Sequence, residues 1–237
     1  MNVLMVDVGG TNVKVMARHD GEMRKISSDK NLTASEMVRG VLELASGFEF
    51  DRVSLGYPGL VGKGEPILEP TNLGEGWVGF DYSAAFGKPV RCINDAALQA
   101  LGNYESGSLL YLGLGTSIGA TIIVDDIVVP IEVGLIKLTR KQRLMDRLSK
   151  VALKRDGRQQ WRAAVIEAVE LLQNVFRPSQ TVLGGGNAQF VEPLPENCHG
   201  VDNRSAYVGA RRLWEGSDLF ASACASSWRI HRNEAHI

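Results

Sequence analysis

Short apolar runs broken by glycine open the chain and predict a β-hairpin. Residues 3–8 (VLMVDV) are almost entirely apolar and end at Gly9-Gly10, and residues 12–17 (NVKVMA) resume with alternating apolar and polar positions. Runs of this length and period, bounded by glycines, are typical of strands. A third strand is expected at residues 23–26.

Helical and strand patterns then alternate. Residues 33–36 (TASE) form a capping-box pattern, and apolar residues follow them at helical spacing. A strand is expected at residues 52–56. Another at residues 90–93 runs directly into a helix that Asn94 or Asp95 can cap.

The second half repeats this organisation. Residues 108–129 predict three strands, the first two joined by a glycine-rich turn and the last two by a tight Asp-Asp turn. Helices are expected at about 140–155 and 160–176, and a further helix near 205–215. Between them, a buried strand at 181–186 ends in three glycines.

This order of elements predicts an α/β protein with two lobes around a central cleft. Residues 1–104, together with about 204–216, would form a small N-terminal lobe. Residues 105–203 would form a larger C-terminal lobe. Residues 217–237 show no clear periodicity and are expected to be a tail with at most a short helix.

Composition limits the class of protein. The chain has 237 residues, of which 44% are hydrophobic and 22% charged, a balance typical of a globular protein and not of a disordered or membrane-spanning one. Three cysteines without a CxxC spacing argue against a disulfide framework and a cysteine-rich zinc site. The net charge is −1, and the first apolar run is too short and too acidic for a signal peptide. A reduced, cytoplasmic protein without a membrane segment is predicted.

The first glycine turn, DVGGT at residues 7–11, could bind phosphate. Backbone N–H groups in such a turn can face outward and cradle phosphate oxygens, and Thr11 adds a hydroxyl. Asp7 could hold a water of a Mg²⁺ ion, and Lys14 could neutralise phosphate charge. An ordinary hairpin turn is the alternative, and the local sequence does not choose between the two.

A second turn, GLGTSIGA at residues 113–120, favours phosphate binding. Two similar turns that open two similar lobes could face one cleft and bind one phosphate chain. Neither turn fits the P-loop pattern or precedes a helix as a dinucleotide fingerprint does. The three glycines at 184–186 could let a ligand lie against the backbone.

Two carboxylates could act in this cleft. Asp95 follows Asn94 at the end of a buried strand, where a partly dry carboxylate could be a general base and simple helix capping is the alternative. Glu132 interrupts the apolar run PIEVGLIKL, residues 130–138. It lies either on the wet face of an edge strand or towards a polar ligand.

Six motifs, in this order, resemble the ROK family of sugar kinases and repressors. They are DVGGTNVK, GYPG, INDAALQALG, GTSIGA, IEVG and LGGG, and TNLGEGWVGFD is similar to the polyphosphate glucokinase branch of the family. The resemblance covers about residues 3–214. It implies an actin-like, ribonuclease-H-like fold and a homodimer. It also implies Mg²⁺-assisted transfer of a terminal phosphoryl group, from polyphosphate or ATP, to the 6-hydroxyl of a glucose-like hexose.

The resemblance also implies roles for individual residues. Asp95 matches the catalytic base, and Asn94, Asp95, Glu132 and Gly59 match sugar-binding positions. The phosphate- and nucleotide-binding positions that it implies are Asp7, Gly9, Gly10, Thr11, Lys14, Gly115, Thr116, Gly119, Gly185 and Gly186.

Two residues depart from the family pattern. Leu135 stands where the family's Glu-x-Gly-His motif has its histidine, so a hydroxyl-binding group is missing and sugar preference is expected to change or relax. Ser117 replaces a glycine in the second phosphate turn, where it could restrict the backbone or donate a hydroxyl to phosphate. The family's zinc-binding cysteine cluster is absent, so no structural zinc is predicted.

A basic segment, defined by its ten lysines and arginines, lies between Lys137 and Arg162 and is opposed only by Asp146 and Asp156. Such a run is usually a solvated helix face, and the alternative is a track for a polyanion. Inorganic polyphosphate would fit it better than nucleic acid, because aromatic residues are scarce and no helix-turn-helix precedes the first strand. The ten residues are Lys137, Arg140, Lys141, Arg143, Arg147, Lys150, Lys154, Arg155, Arg158 and Arg162.

Two functions are consistent with these observations. The first is a sugar kinase that uses polyphosphate, ATP or both. The alternative is a catalytically weak sugar- or phosphate-sensing protein without a DNA-binding domain. Leu135 favours the alternative, whereas the retained Asp7, Lys14, Asn94 and Asp95 oppose it.

Overall fold

The computed structural model describes residues 1–18, 21–201, 204–215 and 228–230. In chain order its elements are β1 (Val3–Val8), β2 (Asn12–Met16), β3 (Arg24–Ser27), α1 (Ala34–Leu44), β4 (Arg52–Tyr57), β5 (Val61–Gly62), β6 (Glu65–Pro66), α2 (Tyr82–Phe86), β7 (Val90–Asn94), α3 (Asp95–Asn103), β8 (Ser108–Leu114), β9 (Ile118–Val124), β10 (Ile127–Ile131), α4 (Met145–Leu148), α5 (Lys150–Phe176), β11 (Gln180–Gly184), β12 (Cys198–Gly200), α6 (Ser205–Arg212) and β13 (Trp228–Arg229). Short 3₁₀ helices lie at Val133–Leu135 and Ala188–Phe190.

The first sheet has the strand order β3-β2-β1-β4-β7. The predicted hairpin is present as β1 and β2, which pair antiparallel, and β1, β4 and β7 run parallel. Every residue of β1 is buried, as expected for a central strand covered on both faces. Because the three parallel strands end at one edge of the sheet, the side chains that follow them are gathered there.

The second sheet has the strand order β12-β11-β8-β9-β10-β13. Strands β8, β9 and β10 form the predicted antiparallel series, and β11 joins parallel to β8. The glycine-rich turn between β8 and β9 and the glycines at the end of β11 therefore lie at neighbouring positions on one edge of this sheet.

Helix α3 packs between the two sheets. One buried cluster contains Val3 and Met5 from the first sheet, Leu109 and Tyr111 from the second, and Leu98 from α3. The start of α3 is thereby held by contacts with both sheets. The division into lobes at residues 104/105 and 203/204 stays a proposal.

Helix α6 returns the late part of the chain to the first sheet and crosses α3 without side chains between them. A Cβ on Gly209 would overlap the carbonyl oxygen of Leu98, and a Cβ on Gly102 would overlap that of Ser205. The Ser54 hydroxyl donates to Ala210 O at 2.7 Å and so ties β4 to α6.

The helix predicted at residues 140–155 is wrong in its boundaries. Lys137 and Arg143 form a β-bridge, which keeps the segment between them out of a helix. Helix α4 ends before Ser149, whose hydroxyl accepts from Ala152 N and caps α5. Gly157, with φ +77°, kinks α5 near the predicted gap between the two helices. The third strand lies at Arg24–Ser27, one residue later than expected.

Several short elements were not predicted from the sequence. They are β5, β6 and α2, which lie between β4 and β7, and the strands β12 and β13. Most of the predicted tail, 217–237, lies outside the described residues, but Trp228 is buried and pairs with Val128 of β10. Among the helices described, none is both long and apolar enough to span a membrane.

Candidate active site

Asp7 and Asp95 lie side by side at the carboxyl edge of the first sheet. Asp7 pairs with Gly56 of β4, and Gly56 pairs with Ile93 of β7, two residues before Asp95. A Cβ on Gly56 would lie 3.5 Å from Asp7 Oδ1 and 3.4 Å from Asp95 Cα. Both residues thus lie around Gly56, and the charge of Asp7 acts on the Asp95 carboxylate.

Asp95 has the properties of a general base. Burial, and then the charge of Asp7, raise its pKa to about 7. A hydrogen bond from Ala96 N and the positive charge of Lys14 lower the pKa, whereas the charge of Glu132 raises it slightly further. The distance from Ala96 N to Asp95 Oδ1 is 2.8 Å. A carboxylate with a pKa near 7 can accept a proton at neutral pH.

Asn94, and not Asp95, is the N-cap of α3. Its Oδ1 accepts from Ala97 N at 3.1 Å, and its Nδ2 donates to Gly59 O at 3.1 Å. Asn94 is 8% exposed, so both bonds are within the protein interior. The residue predicted to bind sugar thus also fixes the helix that carries Asp95 and holds the Gly59 loop beside it.

Lys14 lies opposite Asp7 in the β1–β2 hairpin, with its Nζ 3.3 Å from Asp7 Oδ2. The same oxygen accepts from Gln99 Nε2 at 3.4 Å. Gln99 was not predicted from the sequence, although it lies four residues after Asp95 on α3, which places the two on one face of the helix. The Lys14 ammonium thus forms an ion pair with Asp7, and its positive charge also acts on Asp95.

The first glycine turn is partly closed by internal hydrogen bonds. Gly9 N donates to Asn12 O, and Gly9 O accepts from the Ser28 hydroxyl at 2.5 Å. The N–H groups of Gly10 and Thr11 donate to none of the described residues. Of the residues predicted to bind phosphate in this turn, Gly10 and Thr11 are thus the ones with free backbone donors.

The second glycine turn contacts the first directly. Thr116 Oγ1 lies 2.9 Å from Thr11 Oγ1, so the two hydroxyls share a hydrogen bond between the sheets. Gly115 N donates to Ser117 O within the turn, and Gly115 O accepts from Lys150 N at the start of α5. The two turns predicted to face one cleft are brought together.

Gly119 lies outside this turn. It belongs to β9 and pairs with Gly113, and a Cβ on it would lie 3.0 Å from the Cβ of Ala96. Glycine is favoured at this position because β9 packs closely against α3. This packing also brings β9, which follows the second turn, against the start of α3.

The third set of glycines packs against the second turn. Gly185 has φ +82°, and a Cβ on it would lie 2.6 Å from Leu114 O. Asn187 donates from its N–H to Leu114 O and from Nδ2 to Gly115 O at 3.0 and 3.3 Å. Gly186 has open space around its missing side chain. Asn187 thus ties the third set of glycines to the second turn.

Glu132 is not on an edge strand, because β10 ends at Ile131 and Glu132 precedes a 3₁₀ helix. Its residue is exposed, its carboxylate makes no hydrogen bond or ion pair with any residue in the described ranges, and the partial burial of that carboxylate raises its pKa. Leu135 N donates to Glu132 O and so closes the turn that begins at Glu132. Leu135, 52% exposed, is thus next to Glu132. Its neighbour Gly134 packs near Ile118, at the end of the second turn.

The basic segment does not form one uniform surface. Four of its residues make contacts within the protein: Arg147 with Glu167, Arg155 with Asp156, Arg158 over the ring of Phe190, and Arg162 with Pro193 O. The other six have no ion pair with a described residue, and Lys150 adjoins the second turn. These six, which we call the open cations, are Lys137, Arg140, Lys141, Arg143, Lys150 and Lys154.

No model of a protein family matches the chain, and no curated protein matches its sequence. Solved structures do match its fold. A polyphosphate/ATP-glucomannokinase from Arthrobacter sp. strain KM has a TM-score of 0.74 at 24% identity, covering 88% of this chain and 96% of that one. A ROK family glucokinase from Streptomyces griseus, in complex with glucose and AMPPNP, has a TM-score of 0.67 at 17% identity, covering 89% and 98%.

A third similar structure is a ROK family transcriptional regulator described as a homologue of the E. coli MLC protein. Its TM-score is 0.65 at 15% identity, covering 89% of this chain and 77% of that one. Kinases and a regulator thus share this architecture. The predicted actin-like ATPase fold is confirmed, and the resemblance to ROK proteins is confirmed at the level of the fold.

Proposed function

We propose that the chain is a sugar kinase that transfers a terminal phosphoryl group to a glucose-like hexose at its 6-hydroxyl. The observation that carries this proposal is the pair of adjacent carboxylates, in which Asp95 has a pKa raised to about 7 by burial and by Asp7. The two joined glycine turns and Lys14 surround the same edge of the sheet with donors and a positive charge. Phosphoryl transfer depends mainly on such positioning and electrostatic stabilisation.

In the proposed reaction, Asp95 accepts the proton of the acceptor hydroxyl as its oxygen attacks the terminal phosphorus in line. The bond from that phosphorus to the bridging oxygen breaks, and the electron pair stays with the leaving phosphate. Backbone N–H groups of Gly10 and Thr11, together with the Lys14 ammonium, stabilise the negative charge on the transferred group.

The residues beside Asp95 fit a Mg²⁺ ion held through water. Mg²⁺ in proteins usually keeps several waters and binds one or two carboxylates together with substrate phosphates. Asp7 Oδ2 accepts from Lys14 and Gln99, whereas Oδ1 accepts from none of the described residues. Among the described residues, no cluster of three or more His, Cys, Asp or Glu side chains is suited to hold a metal ion directly. We therefore expect Asp7 to bind the Mg²⁺ ion through water. When bound, the ion would neutralise charge on the donor phosphates.

We place the acceptor between Asn94, Asp95, the Gly59 loop and Glu132. The Glu132 carboxylate, without a protein partner in the described chain, is available to accept from sugar hydroxyls. Leu135 next to it offers no hydrogen bond. An apolar side chain rejects sugar analogues only weakly, so the range of acceptors is expected to be broad.

We propose ATP, inorganic polyphosphate or both as the donor. The open space at Gly186, beside the second turn, supports a nucleotide. The open cations support a longer polyanion. The Arthrobacter protein of the same fold is named for both donors, and the Streptomyces one holds an ATP analogue.

A matrix of hexoses against ATP and polyphosphate, with formation of sugar phosphate as the measurement, tests the proposal. We expect turnover with at least one pair. At the ring position nearest Leu135, loss of the hydroxyl is expected to cost less than about tenfold in kcat/KM, against about 10⁴–10⁵ for a site that hydrogen-bonds it. Leu135→Asn should change the ratio at that position alone.

The matched control for this change is Leu171→Asn, because Leu171 is also an exposed leucine but lies on α5. Equal sugar ratios in Leu135→Asn and the wild type would contradict the assignment of Leu135 to the acceptor site. Sugar binding by calorimetry without turnover for any pair would instead favour the sensing protein, for which the fold of the ROK regulator gives a precedent.

The open cations give a second expected result. The double change Lys141→Ala/Arg143→Ala should raise the KM for long-chain polyphosphate by about 3–30-fold at low salt, since each exposed charge contact contributes up to about 1 kcal/mol. The KM for ATP should change much less, because a nucleotide at the glycine turns presents far fewer phosphate charges than a long chain does to the bridged segment between Lys137 and Arg143. Steady-state kinetics with the two donors measures this difference.

The control removes the same charge at residues outside the open cations, with Lys88→Ala/Arg155→Ala. Lys88 is exposed and outside the segment, and Arg155 is already paired with Asp156. An unchanged polyphosphate KM in the first double variant, or the same rise in the control, would reject binding of the polyanion by the open cations.

A further inference from the structure

Gln99 is a buried polar side chain that takes no direct part in the proposed reaction. It is 6% exposed, on a helix whose other buried residues are apolar. Burying an amide is unfavourable unless its donors and acceptor find partners. Its partners are therefore informative about why a glutamine stands at this position.

Gln99 connects two parts of the chain that are far apart in sequence. Its Nε2 donates to Asp7 Oδ2 at 3.4 Å, and its Oε1 accepts from the Ser205 hydroxyl at 3.2 Å. Ser205 begins α6, which crosses α3 in direct backbone contact at Gly102 and Gly209. Because the Ser205 hydroxyl donates to Oε1, the amide is oriented with its N–H groups towards Asp7.

The contact fixes which oxygen of Asp7 is left for a ligand. Lys14 and Gln99 both donate to Oδ2, so the carboxylate is held from two sides and Oδ1 remains beside Gly56 and Asp95. A neutral amide holds the charge of Asp7 without adding a second cation next to Asp95. A lysine in place of Gln99 would favour the ionised form of Asp95 and weaken it as a base.

We propose that Gln99 is a positioning residue that, oriented by Ser205, holds the Asp7 carboxylate and with it Lys14 for the phosphoryl donor. The inference rests on the proposed function, and it makes α6 a supporting element of the active site. Positioning by such outer contacts commonly governs how well a charged group acts on a ligand.

The test compares Gln99→Met, Ser205→Ala and the double variant. Gln99→Met keeps the length of the side chain and removes the hydrogen bond to a charged group, for which we expect a fall of about 10–100-fold in kcat. The donor KM should rise and the acceptor KM should stay within about twofold, because Asp7 and Lys14 act on the donor. Ser205→Ala should have a smaller effect of the same kind.

The double variant distinguishes positioning from general loosening. If Ser205 acts through Gln99, its loss adds nothing once Gln99 is methionine, so the double variant should match Gln99→Met. Additive effects would overturn the proposal, as would a kcat and donor KM within twofold of the wild type in Gln99→Met. Should Gln99→Met fail to fold, Ser205→Ala decides by the same split between donor and acceptor KM.

Asn103→Ala is the control. Its side chain donates to Gln99 O, a main-chain atom of the same helix, so its loss removes a hydrogen bond from α3 without touching Asp7. Stability is expected to fall and the kinetics to stay unchanged. A kinetic loss equal to that of Gln99→Met would show that helix stability, not the contact with Asp7, controls the site.

Binding measurements separate this inference from the proposed function. Calorimetry with a non-hydrolysable ATP analogue and with polyphosphate should show weaker binding in Gln99→Met, and no further loss in the double variant. A wild type that binds a donor but transfers phosphate to no sugar would refute the kinase and leave the Gln99 contact tested by these affinities. Donor affinity that Gln99→Met leaves unchanged would refute the Gln99 proposal alone.

Discussion

Asp95→Asn is expected to lower kcat by about 10²–10⁴-fold, the usual contribution of a general base. Asparagine keeps the shape of the side chain and cannot accept the hydroxyl proton. The free energy of unfolding should not fall, because the change replaces a carboxylate whose ionised form is disfavoured by burial and by Asp7. A coupled assay at saturating sugar and donor, and urea unfolding, measure the two quantities.

The ionisation of Asp95 also determines in which direction the rate changes with pH. A base must be ionised, and burial and Asp7 raise the pKa of Asp95 to about 7. The kcat/KM of the wild type should therefore fall as the pH is lowered through about 7, and Asp95→Asn should lack this fall. Asp81→Asn is the control, because Asp81 caps α2 and accepts from Ala84 N away from the site. Near-normal turnover in Asp95→Asn would refute the assignment.

Gly209→Ala is expected to lower the free energy of unfolding by at least about 3 kcal/mol, at the upper end of overpacking effects. The added methyl group would overlap Leu98 O, a backbone atom that no change of rotamer can move. Alanine otherwise favours helices by about 1 kcal/mol over glycine, so a loss would come from the crossing of α3 and α6. Urea or thermal unfolding measures it.

Gly40→Ala is the matched control, because Gly40 is also an interior glycine of a helix, α1. A Cβ there would meet only Ile26 Cδ1, the end of a flexible side chain. Its stability should change by less than about 1 kcal/mol, since helix propensity offsets the adjustment of Ile26. Similar stabilities for the two alanine variants would contradict a backbone-to-backbone crossing of α3 and α6.

Local patterns predicted most of the fold. Period, glycine and capping signals act over a few residues, so they located the β1–β2 hairpin, the capping box at Thr33 and Glu36, and the strand that leads into Asp95. They failed at residues 140–155, where a β-bridge between Lys137 and Arg143 and the cap at Ser149 prevail over helical spacing. They also missed β13, because its pairing partner lies about a hundred residues earlier in the chain.

The candidate site divides in the same way. The register of the β1–β2 hairpin sets Lys14 opposite Asp7. The end of the buried strand β7 sets Asn94 and Asp95 at the start of α3. Which of the two caps the helix could not be predicted, because both residue types can cap and only the geometry of α3 distinguishes them. Gln99 could not be assigned to the site, because its partners come from β1 and α6.

The sequence by itself determined the residue types, the strand ends and the glycine turns, since these depend on contacts within a few positions of the chain. Only the tertiary structure decided that Thr11 and Thr116 meet, that Gly119 serves packing against Ala96, and that four arginines of the basic segment are engaged within the protein. It also decided the pKa of Asp95, because burial and the proximity of Asp7 arise when distant segments pack together.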